Sequence, residues 1–129
     1  GARSLVGLAA LGGRLDQTLG NLAMLTDPSL SGVEIRLDDG VEEAFFLRTV
    51  PPQKAQARLD GRNGDLVSLL PWGAPAIGVT TEGLRWPLTG EILYPEKTRG
   101  ISNEMVGATA TVCLQSGLLL VVHRRNLQV

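Results

Sequence analysis

Three short stretches carry side chains able to bind or react. The first, Leu11-Gly12-Gly13-Arg14-Leu15-Asp16-Gln17-Thr18-Leu19-Gly20-Asn21, ends an apolar run on two glycines, with charged and amide groups following at short intervals. A helix starting near Arg14 would set free backbone N–H groups and a positive helix end beside a guanidinium, an arrangement suited to an anion such as phosphate. Asp16, in the first turn, would favour the helix dipole. The plainer alternative is a tight glycine turn with Asp16 as a cap and Arg14 in solvent, and spacing by itself favours it.

The second stretch is Gly78-Val79-Thr80-Thr81-Glu82-Gly83-Leu84-Arg85-Trp86-Pro87-Leu88. A hairpin turning at Glu82-Gly83 would put Trp86 on the rising strand, where an indole serves as a platform for an aromatic ring or a cation, or equally as core. Trp72, between Pro71 and Gly73, reads as a packing residue at a strand end. The third stretch is Ser102-Asn103-Glu104 in a glycine-flanked loop. Its hydroxyl and amide could read the edge of a heterocycle, or could cap a turn.

Other reactive types give little. Cys113 lies in the alternation Ala110-Thr111-Val112-Cys113-Leu114 and reads as a small core hydrophobe. His123, in Val121-Val122-His123-Arg124-Arg125, reads as a solvent-facing or edge residue at a strand end, ahead of a catalytic one. One Cys and one His build neither a disulfide framework nor a four-ligand zinc site. Twelve basic against thirteen acidic residues leave a formal charge of -1, so nothing drives a sequence-independent grip on nucleic acid or acidic lipid. No apolar run approaches the ~20 residues of a membrane span. A reducing, cytoplasmic setting fits this composition, and the lack of an initiator Met fits a chain that begins inside a domain.

The positioning elements follow from hydrophobic periodicity. Ser4 to Leu11 reads as a buried strand, and Leu15, Leu19, Leu22 and Leu25 as the apolar face of a helix stopped by Asp27-Pro28. Val33 to Leu37 and Glu43 to Val50 read as strands around an Asp38-Asp39-Gly40 turn. Pro51-Pro52 marks a boundary. Beyond it, Lys54 to Leu59, Asp65 to Leu70, Ala76 to Thr80, Gly83 to Trp86, Glu91 to Tyr94, Ala108 to Leu114 and Leu118 to His123 read as short strands of an antiparallel sandwich or barrel. Pro95 to Gly107 has no clear period and reads as a long ordered loop.

Taken in order, "LGGRLDQTLGNLAML", "GDLVSLLPWG", "GVTTEGLRWPLTGEIL", "GISNEMVG" and "SGLLLVV" resemble the thiamine pyrophosphokinase family over nearly the whole chain. The resemblance implies pyrophosphoryl transfer from ATP to the hydroxyethyl arm of thiamine, with Mg²⁺, giving thiamine diphosphate and AMP. It also implies an α/β catalytic domain followed by a β-sandwich, and a homodimer with its active sites between subunits. Gly13, Arg14, Asp16 and Gln17 match the family's Gly-Gly-Arg-x-Asp-His/Gln motif, with Arg14 and Asp16 in the catalytic role. Asn21 closes that motif. Trp86 matches an aromatic position near the thiamine rings, Ser102 and Asn103 a loop on the aminopyrimidine, and Thr80 and Thr81 lie beside them.

The family's acidic Mg²⁺ and ATP motifs belong upstream of the Gly-Gly-Arg motif, and here only Gly1 to Leu11 precede it. Asp38-Asp39 read as a turn and do not replace them. The expectation is an α+β chain: residues 1–50 as the end of the α/β catalytic domain, and residues 53–129 as the thiamine-binding sandwich. Such a chain binds thiamine at best, holds neither Mg²⁺ nor ATP, and is inactive alone. The alternative is a non-catalytic β-sandwich module for small-heterocycle binding or dimerisation.

Overall fold

The computed structural model describes residues 14–30 and 33–127, and the backbone of residues 3–8. Ten strands and one α-helix follow in the order β1 (Arg3–Leu8), α1 (Leu15–Met24), β2 (Val33–Asp38), β3 (Glu42–Arg48), β4 (Ala55–Asp60), β5 (Leu66–Pro71), β6 (Ala76–Glu82), β7 (Glu91–Leu93), β8 (Asn103–Glu104), β9 (Thr109–Leu114) and β10 (Leu118–Arg124). A single 3-10 turn, Pro28–Leu30, lies between α1 and β2. The architecture is mostly antiparallel β-sheet with one helix.

Six strands form one sheet in the order β1-β2-β3-β10-β5-β8, and four form a second in the order β4-β9-β6-β7. Among the described strands only β1 and β2 pair in parallel, joined through α1 as a helical crossover requires. The remaining pairs are antiparallel. The six-stranded sheet runs across the Pro51-Pro52 position, because β3 and β10 pair along Leu118↔Arg48 to Arg124↔Glu42.

Side-chain alternation sorts the two faces of this sheet. Phe45, Leu47, Val67, Leu69, Leu119 and Val121 point toward the four-stranded sheet, meeting Leu59, Val79, Ala110, Val112 and Leu114 in the main core. The opposite face carries Leu37, Ala44 and Leu120, on which Leu22 of α1 packs. The molecule is thus a helix on a six-stranded sheet on a four-stranded sheet, with layers about 10 Å apart. Each fully buried Leu or Val here contributes roughly 1.5–3 kcal/mol of apolar transfer.

Four sequence expectations change. Of the apolar face of α1, only Leu22 is buried and Leu25 partly so, while Leu15 and Leu19 are exposed. The helix therefore packs through its C-terminal turns. Gly83 to Trp86 is not a strand: the chain leaves β6 at Gly83, touches Met105 in a single bridge at Leu84 and returns at Leu88. The long loop contains β8, because Leu66 and Val67 draw Glu104 and Asn103 into the sheet. Cys113 is half-buried rather than core, since Val112 and Leu114 take the inward positions of β9. Of the strand expected over Ser4 to Leu11, the described part forms Arg3–Leu8, and residues 9–13 with the Gly12-Gly13 turn lie outside the described residues.

Candidate functional site

The sequence candidates fall into two groups on different layers. Arg14, Asp16, Gln17 and Asn21 belong to the start and middle of α1, on the outer face of the six-stranded sheet. Gly13 lies outside the described residues. Thr80, Thr81 and Trp86 belong to the four-stranded sheet and the loop that leaves it, across the main core from α1. Ser102 and Asn103 stand at the β8 edge of the six-stranded sheet, beyond β10 and β5 as counted from β3. Within one chain the two groups are not brought together.

At the helix start Arg14 is the N-cap residue and makes no side-chain cap. Its Nε donates to Asp16 Oδ1 at 3.1 Å, and its Nη2 donates to Asp16 Oδ2. Asp16 Oδ1 also accepts from the Gln17 amide at 2.9 Å. The Arg14 guanidinium, together with that amide, holds the Asp16 carboxyl below its ordinary value. Both side chains are exposed, so the pair is a solvent-screened surface contact of little worth to stability.

The second group is built far more tightly. Asn103, 8% exposed, turns its amide onto the backbone of Trp86. Its Oδ1 accepts from the Trp86 amide at 3.0 Å and from the Glu104 amide at 2.9 Å, and its Nδ2 donates to the Trp86 carbonyl at 2.7 Å. Both acceptor positions of that amide oxygen are thereby used, and one N–H remains for a ligand. Asn103 first of all fixes the backbone that carries the indole. The indole itself is 53% exposed.

Two further residues complete this corner, and sequence reasoning had not assigned them. The Arg85 guanidinium lies 5.0 Å from the Trp86 ring centroid and 3.4 Å from Glu104 Oε2. The adjacency Arg85-Trp86, and Glu104 within the Ser-Asn-Glu motif, were the available signals. Ser102 adopts φ 58, uncommon for a residue with a side chain, and its amide donates to Ser68 Oγ at 2.9 Å.

Thr81 and Thr80 close the loop on the other side. Thr81 Oγ1 accepts from the Leu88 amide and Thr80 Oγ1 from the Gly90 amide, each at 2.9 Å. Thr81 is buried, so its hydroxyl serves the loop. Gly83 permits the exit from β6: it has φ +81, and a Cβ there would sit 2.3 Å from the Thr109 carbonyl oxygen.

Trp72 packs as its sequence setting suggests, edge-on to Phe46 with ring centroids 5.2 Å apart. His123 does not face solvent. It is 0% exposed, because the β4–β5 turn at Gly61 and Asp65 closes over it. Two clefts also open on the surface. One of about 790 Å³ is lined by β2, β3 and β4, and one of about 480 Å³ by Leu69, Pro71 and the 92–100 segment; none of the candidate residues lines either. Among the described residues no group of three or more His, Cys, Asp or Glu stands where it could hold a metal ion. No helix among them is long and apolar enough to cross a membrane.

The family described as thiamin pyrophosphokinase, vitamin B1 binding domain, matches residues 52–119. A thiamine pyrophosphokinase of Bacillus subtilis (strain 168) is 26% identical over 112 residues, covering 87% of this chain and 50% of that protein. Thiamine pyrophosphokinase 1 of Oryza sativa subsp. japonica is 29% identical over 119 residues, covering 92% of this chain and 44% of that protein.

Among solved structures, thiamine pyrophosphokinase from Bacillus subtilis superposes with a TM-score of 0.81 at 22% identity, over 96% of this chain and 56% of that one. Thiamin pyrophosphokinase from Candida albicans gives a TM-score of 0.76 at 18% identity, over 95% and 44%. These two establish the shared fold. The chain spans about half the length of the curated relatives it matches. With a family match over more than half of its residues, the chain belongs to the thiamin pyrophosphokinase vitamin B1 binding domain family.

Proposed function

We propose that this chain is the thiamine-binding part of a thiamine pyrophosphokinase, the enzyme that converts ATP and thiamine to AMP and thiamine diphosphate. The observation that carries this reading is the half-exposed Trp86 indole, fixed by Asn103 beside Ser102 and Glu104. Thiamine offers a cationic thiazolium and a flat aminopyrimidine, and both suit an indole face. The Glu104 carboxylate and the remaining Asn103 N–H add an acceptor and a donor for a heterocycle edge. Arg85, resting between the ring and Glu104, shifts toward the carboxylate when a cationic ring takes its place.

Residues 53–129 form the thiamine-binding domain in this proposal, and residues 1–50 the end of a catalytic domain whose strands pair into the same sheet. Arg14 and Asp16 act on the phosphate chain and the hydroxyethyl group, with Gly13, Gln17 and Asn21 lining that wall. Their separation from Trp86 by the whole sheet fits a homodimer, in which α1 of one subunit faces the Trp86 corner of the other. The Mg²⁺ that phosphoryl transfer calls for would neutralise charge developing on the phosphates. The described residues do not suit it, since no acidic cluster among them stands where it could hold the ion.

Two experiments test the reading. Incubation of this chain with ATP, Mg²⁺ and thiamine is expected to give no AMP, and AMP at an ordinary enzymatic rate would overturn the proposed inactivity. Asp16→Ala and Trp86→Ala chains are each expected to lose thiamine binding. Mixed in equal amounts they should regain about a quarter of the sites, because half of the dimers then carry one intact pair of walls. No recovery would remove the intersubunit site.

A further inference from the structure

The most charged buried place in the described chain lies outside the thiamine corner and has no part in the proposed chemistry. His123 of β10 sits between Glu43 of β3 and Asp65 at the start of β5. Its Nδ1 lies 3.0 Å from Glu43 Oε1 and its Nε2 lies 2.7 Å from Asp65 Oδ2. A neutral imidazole has one N–H and would leave one contact without a proton, whereas the imidazolium donates to both. The carboxylates are otherwise satisfied as anions. Asp65 Oδ1 accepts from the Asn126 amide at 2.7 Å, and Asp65 Oδ2 from the Arg62 amide at 3.2 Å. Glu43 Oε2 lies 3.4 Å from Arg36 of β2 and 3.8 Å from Arg125, which itself forms a bidentate pair with Asp38.

With His123 protonated, three cations (His123, Arg36, Arg125) balance the three inner anions (Glu43, Asp65, Asp38), and the exposed Glu34 pairs with Arg36 from the solvent side at 3.2 Å. Loss of the proton leaves one uncompensated negative charge in a buried site, which is costly. Room for the ring is also exacting, since a Cβ on Gly61 would meet Asp65 Oδ2 at 2.3 Å and His123 Nε2 at 2.9 Å.

The cluster is wired to the thiamine corner through backbone. The Asp65 carbonyl accepts from the Met105 amide at 2.8 Å, and the Gly64 amide donates to the Met105 carbonyl at 2.9 Å. The next two residues, Leu66 and Val67, pair with Glu104 and Asn103, and Asn103 holds Trp86. We propose that His123 is a proton-operated clamp: as imidazolium it ties β3 to β5 through β10 and keeps the Asn103–Trp86 corner ordered, and its deprotonation loosens that corner.

The direction with pH follows from the partners. The Glu43 hydrogen bond, opposed by burial and reinforced by Asp65, raises His123 above the ordinary 6.5. Its contribution is therefore complete below 6.5 and is lost as pH rises through the raised value. The His123 hydrogen bond holds Glu43 below its ordinary 4.5; for Asp65, burial pushes upward but the Asn126, His123 and Arg62 donors outweigh it and hold it below 3.8. Those contributions are complete above the ordinary values and are lost as pH falls through the lowered ones. The clamp is fully closed between 4.5 and 6.5.

Because His123 is the sole histidine of the chain, its ring nitrogens can be followed by NMR without ambiguity. In the unaltered chain the ring should be mostly protonated at pH 6.5, where an ordinary imidazole is half deprotonated. As it titrates, amide-exchange protection at Trp86 and Glu104, corrected for base catalysis, should fall about tenfold relative to Val112 in β9. A neutral ring already at about pH 6 would overturn the clamp, as would its titration with no loss at Trp86 and Glu104 relative to Val112. His123→Gln, which cannot take up the proton, should abolish the alkaline change. Should that variant fail to fold, the two measurements on the unaltered chain decide alone.

Discussion

The two candidate walls differ in how firmly their side chains are held. At the start of α1, Arg14 and Asp16 pair in solvent with one further bond from the Gln17 amide, and neighbouring Leu15 and Leu19 are exposed. At the β8 corner, one buried amide makes two hydrogen bonds that fix the backbone on which Trp86 stands and a third to the Glu104 amide. A binding wall whose rotamers are already fixed loses little entropy on taking a ligand; a loose one has that ordering still to do. The comparison teaches which wall this chain presents ready-made, the Trp86 corner, and which awaits a partner or ligand.

Asn103→Ala should break the firm wall with the largest effect. It strands the Trp86 amide and carbonyl, and denaturant unfolding should show a loss of about 2–4 kcal/mol. Gly83→Ala comes next: a positive φ and a backbone oxygen in the way should cost about 2–3 kcal/mol in the same assay. Trp86→Ala sharpens the contrast, because a half-exposed ring contributes less than about 1 kcal/mol to folding, while thiamine affinity should fall more than about tenfold. Arg14→Ala should have the smallest effect, with no measurable change in the unfolding midpoint. A large change there would mean that the loose wall is in fact structural.

Much of the fold was legible as alternation. In β9, Ala110, Val112 and Leu114 point inward while Thr109, Thr111 and Cys113 point out, a period of two visible in the residues themselves. The segment from Gly83 to Trp86 mimics that pattern with Leu84 and Trp86, yet forms no strand. What captures it is Asn103, 17 residues away, and no local period reports such a contact. His123 misleads for the same reason. Its neighbours Arg124 and Arg125 suggest a strand end in water, but its partners Glu43 and Asp65 stand 80 and 58 residues earlier in the chain.

The helix start was legible as local structure, since Asp16 in a first turn needs only its own neighbours. Side-chain roles at the corner were legible only in part. The residue types suggested a heterocycle site, while the division of labour, with Asn103 bracing and Trp86 presenting, depends on which backbone each amide group meets.

The most direct measurement is calorimetric titration of this chain with thiamine. Binding heat that disappears in Trp86→Ala, with unrelated pyrimidines giving none, is the predicted result. No heat from the folded, unaltered chain, or equal heat from Trp86→Ala, would contradict the assignment of the Trp86 corner as the thiamine wall.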